Sequence, residues 1–454
     1  MSERRVLVAA AMLGVMLLPG TGGVATAAPA AKPTATRVAP PTPARPKPRV
    51  GKLAFDRDDT PIFLVGAQIR TGAGTRIDNG VIELRGTRIA AVSTTPPPAG
   101  AKIVDLTGKI VTPGIIAVDS SLGLVEIDAE GSTKDDSRNV PDPIRAAYDA
   151  SSAINTDSVL VQVAAIEGVT SAAVTPRGGL VSGQVAWIDL VAGDRDMVSA
   201  ANVAMRMQFG QTVEGSRAAT WLRVRELFDD VEFYRTHRGA YDRNQSRDLM
   251  AHRLDLEALA PYVAGKLPLV IAASRTSDLR LLVQLGKRGM KVVALGGTQA
   301  WRIADELAAA KIPVIVQPSQ NLPASLDDIG ARLDNAALLA AAGVEVGIAV
   351  LGDAHNSRNA TQEAGVAVSY GLDPDVALAA ITAVPARAYG MDAHYGTIAP
   401  GKVANLVVWN GDPFELSERP VAVWIRGRAV EMRSRQTELR DRYMPRILPR
   451  GKQR

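Results

Sequence analysis

The sequence contains no cysteine, so it can hold neither a disulfide framework nor a lipoprotein-type anchor. Its fold rests on its apolar core alone. Aromatic residues make up only 4% of the chain. No basic stretch is interleaved with them, which excludes the usual footprint of a nucleic-acid binder. The chain has only four histidines, His237, His252, His355 and His394. Long hydrophobic runs are also absent. The best is Val6 to Leu18, which ends at Pro19 and is too short to cross a hydrocarbon core of ~30 Å as a helix. Arg4 and Arg5 precede that run, and Ala25-Thr26-Ala27 follows with small residues at the −3 and −1 positions. This is the pattern of a secretory signal peptide cut after Ala27. It predicts a periplasmic or extracellular protein, free or associated with the envelope.

What is present fits a large α/β protein. The chain is 454 residues long, 46% hydrophobic, and carries 40 glycines; Ala and Val dominate its apolar set. That composition suits buried parallel strands. Residues 28–50 carry seven prolines, five basic residues and no acid, the signature of an extended polyproline-type linker. From Arg426 to Arg454 there are ten basic residues against three acids. The leader, linker and tail together carry +13, against +5 for the whole chain, so residues 51–425 carry −8 by subtraction. The basic character belongs to the ends, where the tail could touch an anionic envelope surface.

Short strand patterns separated by turn residues begin at Pro61 and return after Gly396. Between them, strand-like and helical runs alternate: Ile115–Asp119, a helix over 158–167, a strand over 171–175, and then regular alternation from Leu267 to Ala383. This spacing predicts βαβ units and a parallel sheet. The count predicts a closed (β/α)8 TIM barrel, although strands three and four have no clear place between Val185 and Ala264. An open doubly wound sheet is the alternative, weakened by the absence of a Gly-rich nucleotide fingerprint after the first strand. The resulting division is a signal peptide at 1–27, a Pro-rich linker at 28–59, β-rich segments at 60–112 and 396–432, a barrel at 113–395, and a basic tail at 433–454.

Three stretches carry a family likeness. They are Gly108-Lys109-Ile110-Val111-Thr112-Pro113-Gly114-Ile115-Ile116, the segment from Leu372-Asp373-Pro374 to Pro385-Ala386-Arg387-Ala388-Tyr389-Gly390, and Gly396-Thr397-Ile398-Ala399-Pro400-Gly401-Lys402 running on to Ala404-Asn405-Leu406-Val407-Val408-Trp409. Together they resemble the amidohydrolase superfamily, in its exported imidazolonepropionase-like group. The resemblance implies that 60–112 and 396–432 join in a small composite β-sandwich domain built from both chain ends, and that 113–395 is a TIM barrel with its site at the C-terminal ends of the strands. It also implies one or two metals held by two histidines on strand one, one each on strands five and six, and an aspartate on strand eight.

The expected histidines are missing. Strand one offers Asp119 and Ser121 in their place, strand five offers Ala272, and strand six reads Val293-Ala294-Leu295-Gly296. No His-based centre can be assembled, and no protein metal ligand is predicted; a divalent metal at a carboxylate-based site stays open. Asp353 stands where the resemblance places the catalytic aspartate, and His355 lies two residues on. The two are the candidate acid–base pair, with an Asx turn as the alternative. Arg177, Arg275, Asp119, Ser121 and Gln184 are the candidate substrate-binding residues. Arg177 and Arg275 would recognise an anion unless they are consumed in ion pairs with Asp119 or Asp353. Glu126 and Asp128 lie on a solvated loop that could reach the mouth. His237, His252 and His394 read as surface or structural residues.

Two functions follow. One is hydrolysis of C–N bonds in small cyclic amides or amino-acid derivatives. The other is an inactive barrel that binds a small molecule or serves as an envelope scaffold. A homodimer is compatible with either.

Overall fold

The computed structural model describes residues 60–137, 142–210 and 215–447. The expected signal peptide, the Pro-rich linker and the last residues of the basic tail lie outside the described residues. The described residues belong to one compact unit.

Two eight-stranded sheets make up its β structure. The first contains β1 (Ile62–Arg70), β2 (Arg76–Arg85), β3 (Arg88–Ser93), β4 (Lys102–Asp105) and β5 (Ile110–Pro113). From the far end of the chain come β14 (Leu406–Trp409), β15 (Pro420–Ile425) and β16 (Arg428–Ala429). The order is β16-β15-β14-β5-β1-β2-β3, with β4 paired to β1. The chain ends meet where β14 lies antiparallel to β5, Leu406 opposite Pro113 and Trp409 opposite Ile110. The buried Trp409 indole N–H donates to Thr112 Oγ1 at 3.0 Å across that seam.

The second sheet carries the strands in sequence order: β6 (Ile115–Ser120), β7 (Val169–Val174), β8 (Val181–Asp189), β9 (Val198–Gln208), β10 (Pro268–Ala273), β11 (Lys291–Gly296), β12 (Val314–Val316) and β13 (Val346–Ile348). It curls into a TIM-barrel-like wall. Helices α1 (Val159–Ile166), α2 (Arg217–Asp242), α3 (Arg253–Val263), α4 (Thr276–Lys287), α5 (Ala304–Ala309), α6 (Asn335–Ala341), α7 (Ala360–Ser369), α8 (Pro374–Ala380) and α9 (Ala383–Ala388) belong to this part of the chain. A last helix, α10 (Arg435–Ile447), follows β16.

The expectation of an all-parallel closed (β/α)8 barrel needs correction. β8 runs antiparallel to both β7 and β9. Its connections are residues 175–180 and 190–197, and both are too short for a crossover helix, which takes a dozen residues or more. Strands three and four are therefore a hairpin, and the two missing crossovers explain why the alternation could not be followed there. Among the described residues no strand ladder joins β13 back to β6. Backbone bonds on that side run from Gly352 N–H to the Asp119 carbonyl at 3.1 Å and from Ile116 N–H to the Ile381 carbonyl at 3.0 Å.

Both faces of the wall are buried, and for this reason its strands read as continuous apolar runs. Along β6, Ile115 and Ala117 pack outward against the helices, while Ile116 and Val118 enter the barrel interior. The same period-2 alternation puts Val270, Val293, Leu295 and Ile315 inside. Gly114 opens β6 because a Cβ there would collide with the Thr170 side chain. No described helix is long and apolar enough to cross a membrane.

Candidate functional site

The chemistry at the strand ends starts with a break in the β6 ladder. Register shifts between Ala117 and Ser120, and Asp119 sits there at φ +50°, a left-handed conformation that non-glycine residues adopt rarely. Simple alternation would send Asp119 outward with Ala117; the irregularity re-aims it. Its carboxylate meets Arg206 on β9, with Oδ1 accepting from Nε at 2.9 Å. Arg206 shares its strand face with Ala204, an interior residue, while Met205 and Met207 point outward. The Asp119 and Arg206 side chains are 4% and 10% exposed. A second Arg206 nitrogen donates to the Met207 carbonyl. The pair is thus an internal salt bridge on the floor of the expected site. Sequence reading missed Arg206, although a lone arginine in the apolar run Val203-Ala204-Met205-Arg206-Met207 was the available signal.

Apolar residues surround the pair. Trp187 from β8 and Tyr389 after α9 lie with ring centroids 6.4 Å apart, and Tyr395 packs on the other side of Trp187 at 5.2 Å. Burial, reinforced by the Asp119 carboxylate, pushes the Tyr389 phenol well above its ordinary pKa, so it stays neutral.

Arg177 belongs to the same cluster, but not as an open anion receptor. One of its guanidinium nitrogens donates to the Asp119 carbonyl at 3.0 Å, and its Nε lies 3.5 Å from Asp136. It also packs against Gly352, where a Cβ would come within 3.0 Å of it. Asp119, Arg177 and the Gly352–Asp353 turn are therefore brought together. The Asp353 carboxylate caps the next turn: Oδ1 accepts the Asn356 backbone N–H at 3.0 Å and Oδ2 its side-chain amide at 2.7 Å. His355 is exposed, and its Nε2 lies 3.3 Å from Arg358. Asp353 and His355 are each matched with a different residue, and the Asp353 bond to the N–H three residues on is a local capping bond.

The other candidates lie apart. Arg275 is half exposed and 3.7 Å from Asp327. Asp327 also accepts from Arg217, which bonds Asp278 at 3.0 Å. Thr298 Oγ1 holds the neighbouring Asp328 at 3.0 Å, so these contacts pin the loop after β12. Ser121 is buried, and its carbonyl starts a turn by accepting from Leu124 and Val125. Gln184 points outward, on the strand face opposite Val185. Glu126 binds Ser158 Oγ at 2.6 Å and so supports the start of α1; Asp128 pairs with Lys134 at 2.9 Å. His237 stacks on Phe233, His252 precedes α3, and His394 lies 3.3 Å from Arg88.

A different polar cluster sits at the opposite end of β8. Asp189 Oδ1 accepts from Ser171 at 2.8 Å and Asn405 at 3.0 Å. Its Oδ2 accepts from Ser199, Tyr395 and Arg426 at 2.8, 3.0 and 2.6 Å. This network ties the barrel wall to the segments that flank β14 and β15. Its saturated acceptors leave it a structural role.

A curled eight-stranded α/β wall, beside a β sheet drawn from both chain ends and with charged residues at its strand ends, is a TIM-barrel-like architecture. The model of the amidohydrolase family matches residues 278–430. Amidohydrolase tasK from Hapsidospora irregularis is 40% identical over 74 residues, which span 16% of this chain and only 8% of that protein. The crystal structure of an amidohydrolase from Thermotoga maritima MSB8 superposes with a TM-score of 0.73 at 26% identity, covering 82% of this chain and all of the other. Phenylurea hydrolase B shares the fold at 17% identity and a TM-score of 0.51, over 82% of this chain and 97% of its own. Residues 278–430, about a third of the chain, thus match the amidohydrolase superfamily, and the likeness to the Thermotoga maritima structure extends over 82% of it.

Members of that superfamily generally use a divalent metal. The residues here do not fit one held by histidines. Among the described residues no three His, Asp or Glu side chains converge. Asp119 is already neutralised by Arg206, and Ala272 and Leu295 bring only apolar groups to the interior.

Proposed function

We propose that this protein is an exported, catalytically inactive amidohydrolase barrel that serves as an envelope scaffolding protein. The observation that carries the reading is the buried Asp119–Arg206 pair. A guanidinium supplies a fixed positive charge but has no open coordination position at which water could be polarised and activated. The apolar residues around it and the pinned loop after β12 support the same reading, because they suit a packed wall better than a reaction chamber. The leader-like N-terminus supports export.

A second reading keeps hydrolysis of a C–N bond in a small cyclic amide or amino-acid derivative. Asp353 favours it, since it stands at the expected strand end and is only partly buried. One experiment separates the two. The chain from Ala28 onward is purified after growth with zinc and manganese, its metal content is measured, and it is assayed against cyclic dipeptides, N-acyl amino acids and ureas. No turnover, with Asp353→Asn indistinguishable from wild type, supports the scaffold. An activity that Asp353→Asn abolishes establishes the hydrolase.

A further inference from the structure

Helix α10 carries apolar residues that the rest of the protein leaves partly exposed. Leu439 and Ile447 are eight residues apart, and Met444 lies beside them on the same half of the helix; Tyr443 falls within the stripe. Leu439 and Met444 are each 40% exposed and Ile447 is 74% exposed. Leu416, 75% exposed, lines the same groove as Gln436, Thr437 and Arg440, so the apolar surface extends beyond the helix.

Charge is distributed unevenly around this stripe. Both acids of the helix are matched by neighbouring arginines: Asp441 lies 2.7 Å from Arg440 and Glu438 lies 3.6 Å from Arg433. Arg435 and Arg442 are exposed and lie within about 60° of Leu439 around the helix axis. The chain then continues as Leu448-Pro449-Arg450-Gly451-Lys452-Gln453-Arg454, three more cations without an acid. A second copy docked on this stripe through a two-fold axis would bring the same arginines face to face. An anionic lipid surface matches both features: its acyl boundary takes the apolar side chains and its phosphates take the guanidinium groups.

We propose that α10 forms an in-plane anchor that holds the protein on an anionic membrane. The helix lies along the surface, with Leu439, Met444 and Ile447 at the boundary between headgroups and acyl chains. This inference is independent of whether the barrel turns over a substrate.

The test is co-sedimentation of the chain from Ala28 onward with vesicles of phosphatidylcholine alone or mixed with phosphatidylglycerol. Binding to the anionic vesicles is expected to exceed binding to the neutral ones by about tenfold or more, and to fall as salt is raised. Arg435→Glu/Arg442→Glu is expected to weaken it by about tenfold or more. Leu439→Asp/Ile447→Asp is expected to remove it, with the thermal unfolding of the body unchanged. Equal sedimentation with both vesicle types, equal binding by all variants, or no binding at all overturns the anchor. So does a concentration-dependent dimer that Ile447→Asp dissolves while wild type ignores the vesicles, because the stripe then belongs to a second copy.

Discussion

Replacing Arg206 by methionine keeps most of the side-chain volume and leaves Asp119 buried without its cation. At 2.9 Å and an effective dielectric near 20, the lost attraction is about 6 kcal/mol before solvation is counted. Desolvating both ions offsets part of that, and removing one partner of such a pair typically destabilises by about 3–5 kcal/mol. For a unit of roughly 400 residues, with an unfolding entropy of about 0.8 kcal/mol/K, this lowers the melting temperature by about 4–6 °C. Urea unfolding followed by tryptophan fluorescence gives the free energy directly. Asp119→Asn/Arg206→Met removes both charges and is expected to recover most of the loss, so the two single effects are strongly non-additive. A cost below about 1 kcal/mol for Arg206→Met, or additive single effects, would mean that the pair is solvated, as surface pairs are. The account of a sealed interior would then be refuted.

Three further outcomes are expected. Asp189→Ala strands five donors, including Arg426, and should cost about 3–5 kcal/mol in chemical denaturation; a loss under about 1 kcal/mol would contradict the network. Burial raises the phenol pKa of Tyr262, Tyr389 and Tyr395. The folded state therefore keeps protons that the unfolded state loses near pH 10, so this stabilisation is complete below that pH and declines as pH rises above it. In a spectrophotometric titration, these three of the eight tyrosines should ionise only together with unfolding. Gly114→Ala should cost about 1–3 kcal/mol through collision with Thr170, and Thr170→Ala in the same chain should recover part of it.

How far the sequence reaches differs between fold and site. The first barrel strand, helix α1 and every element from β10 to α8 lie within a few residues of where periodicity and turn signals place them. Their local patterns are strong, and their partners follow in order. β8 is the exception. It is apolar on both faces, and such a run states that it is a buried strand without stating its direction. The direction was present in the two short connections, which forbid a crossover. Asp353 illustrates the limit for the site. Its spacing to Asn356 suits a local side-chain cap of the next turn, and the same segment also fits an acid–base pair; only the positions of the donors distinguish the two.

What the sequence by itself determines is that strand and helix alternate along the wall, and that imidazoles are absent where metal ligands would be expected. These depend on period, composition and residue identity, all of which are local. The tertiary structure alone decides what stands in their place. Asp119 and Arg206 are 87 residues apart, and they meet because a register break turns one inward while the β8 hairpin carries the other to the same depth. No spacing rule encodes such a pair, because the energy that fixes it arises only once both charges have left water together.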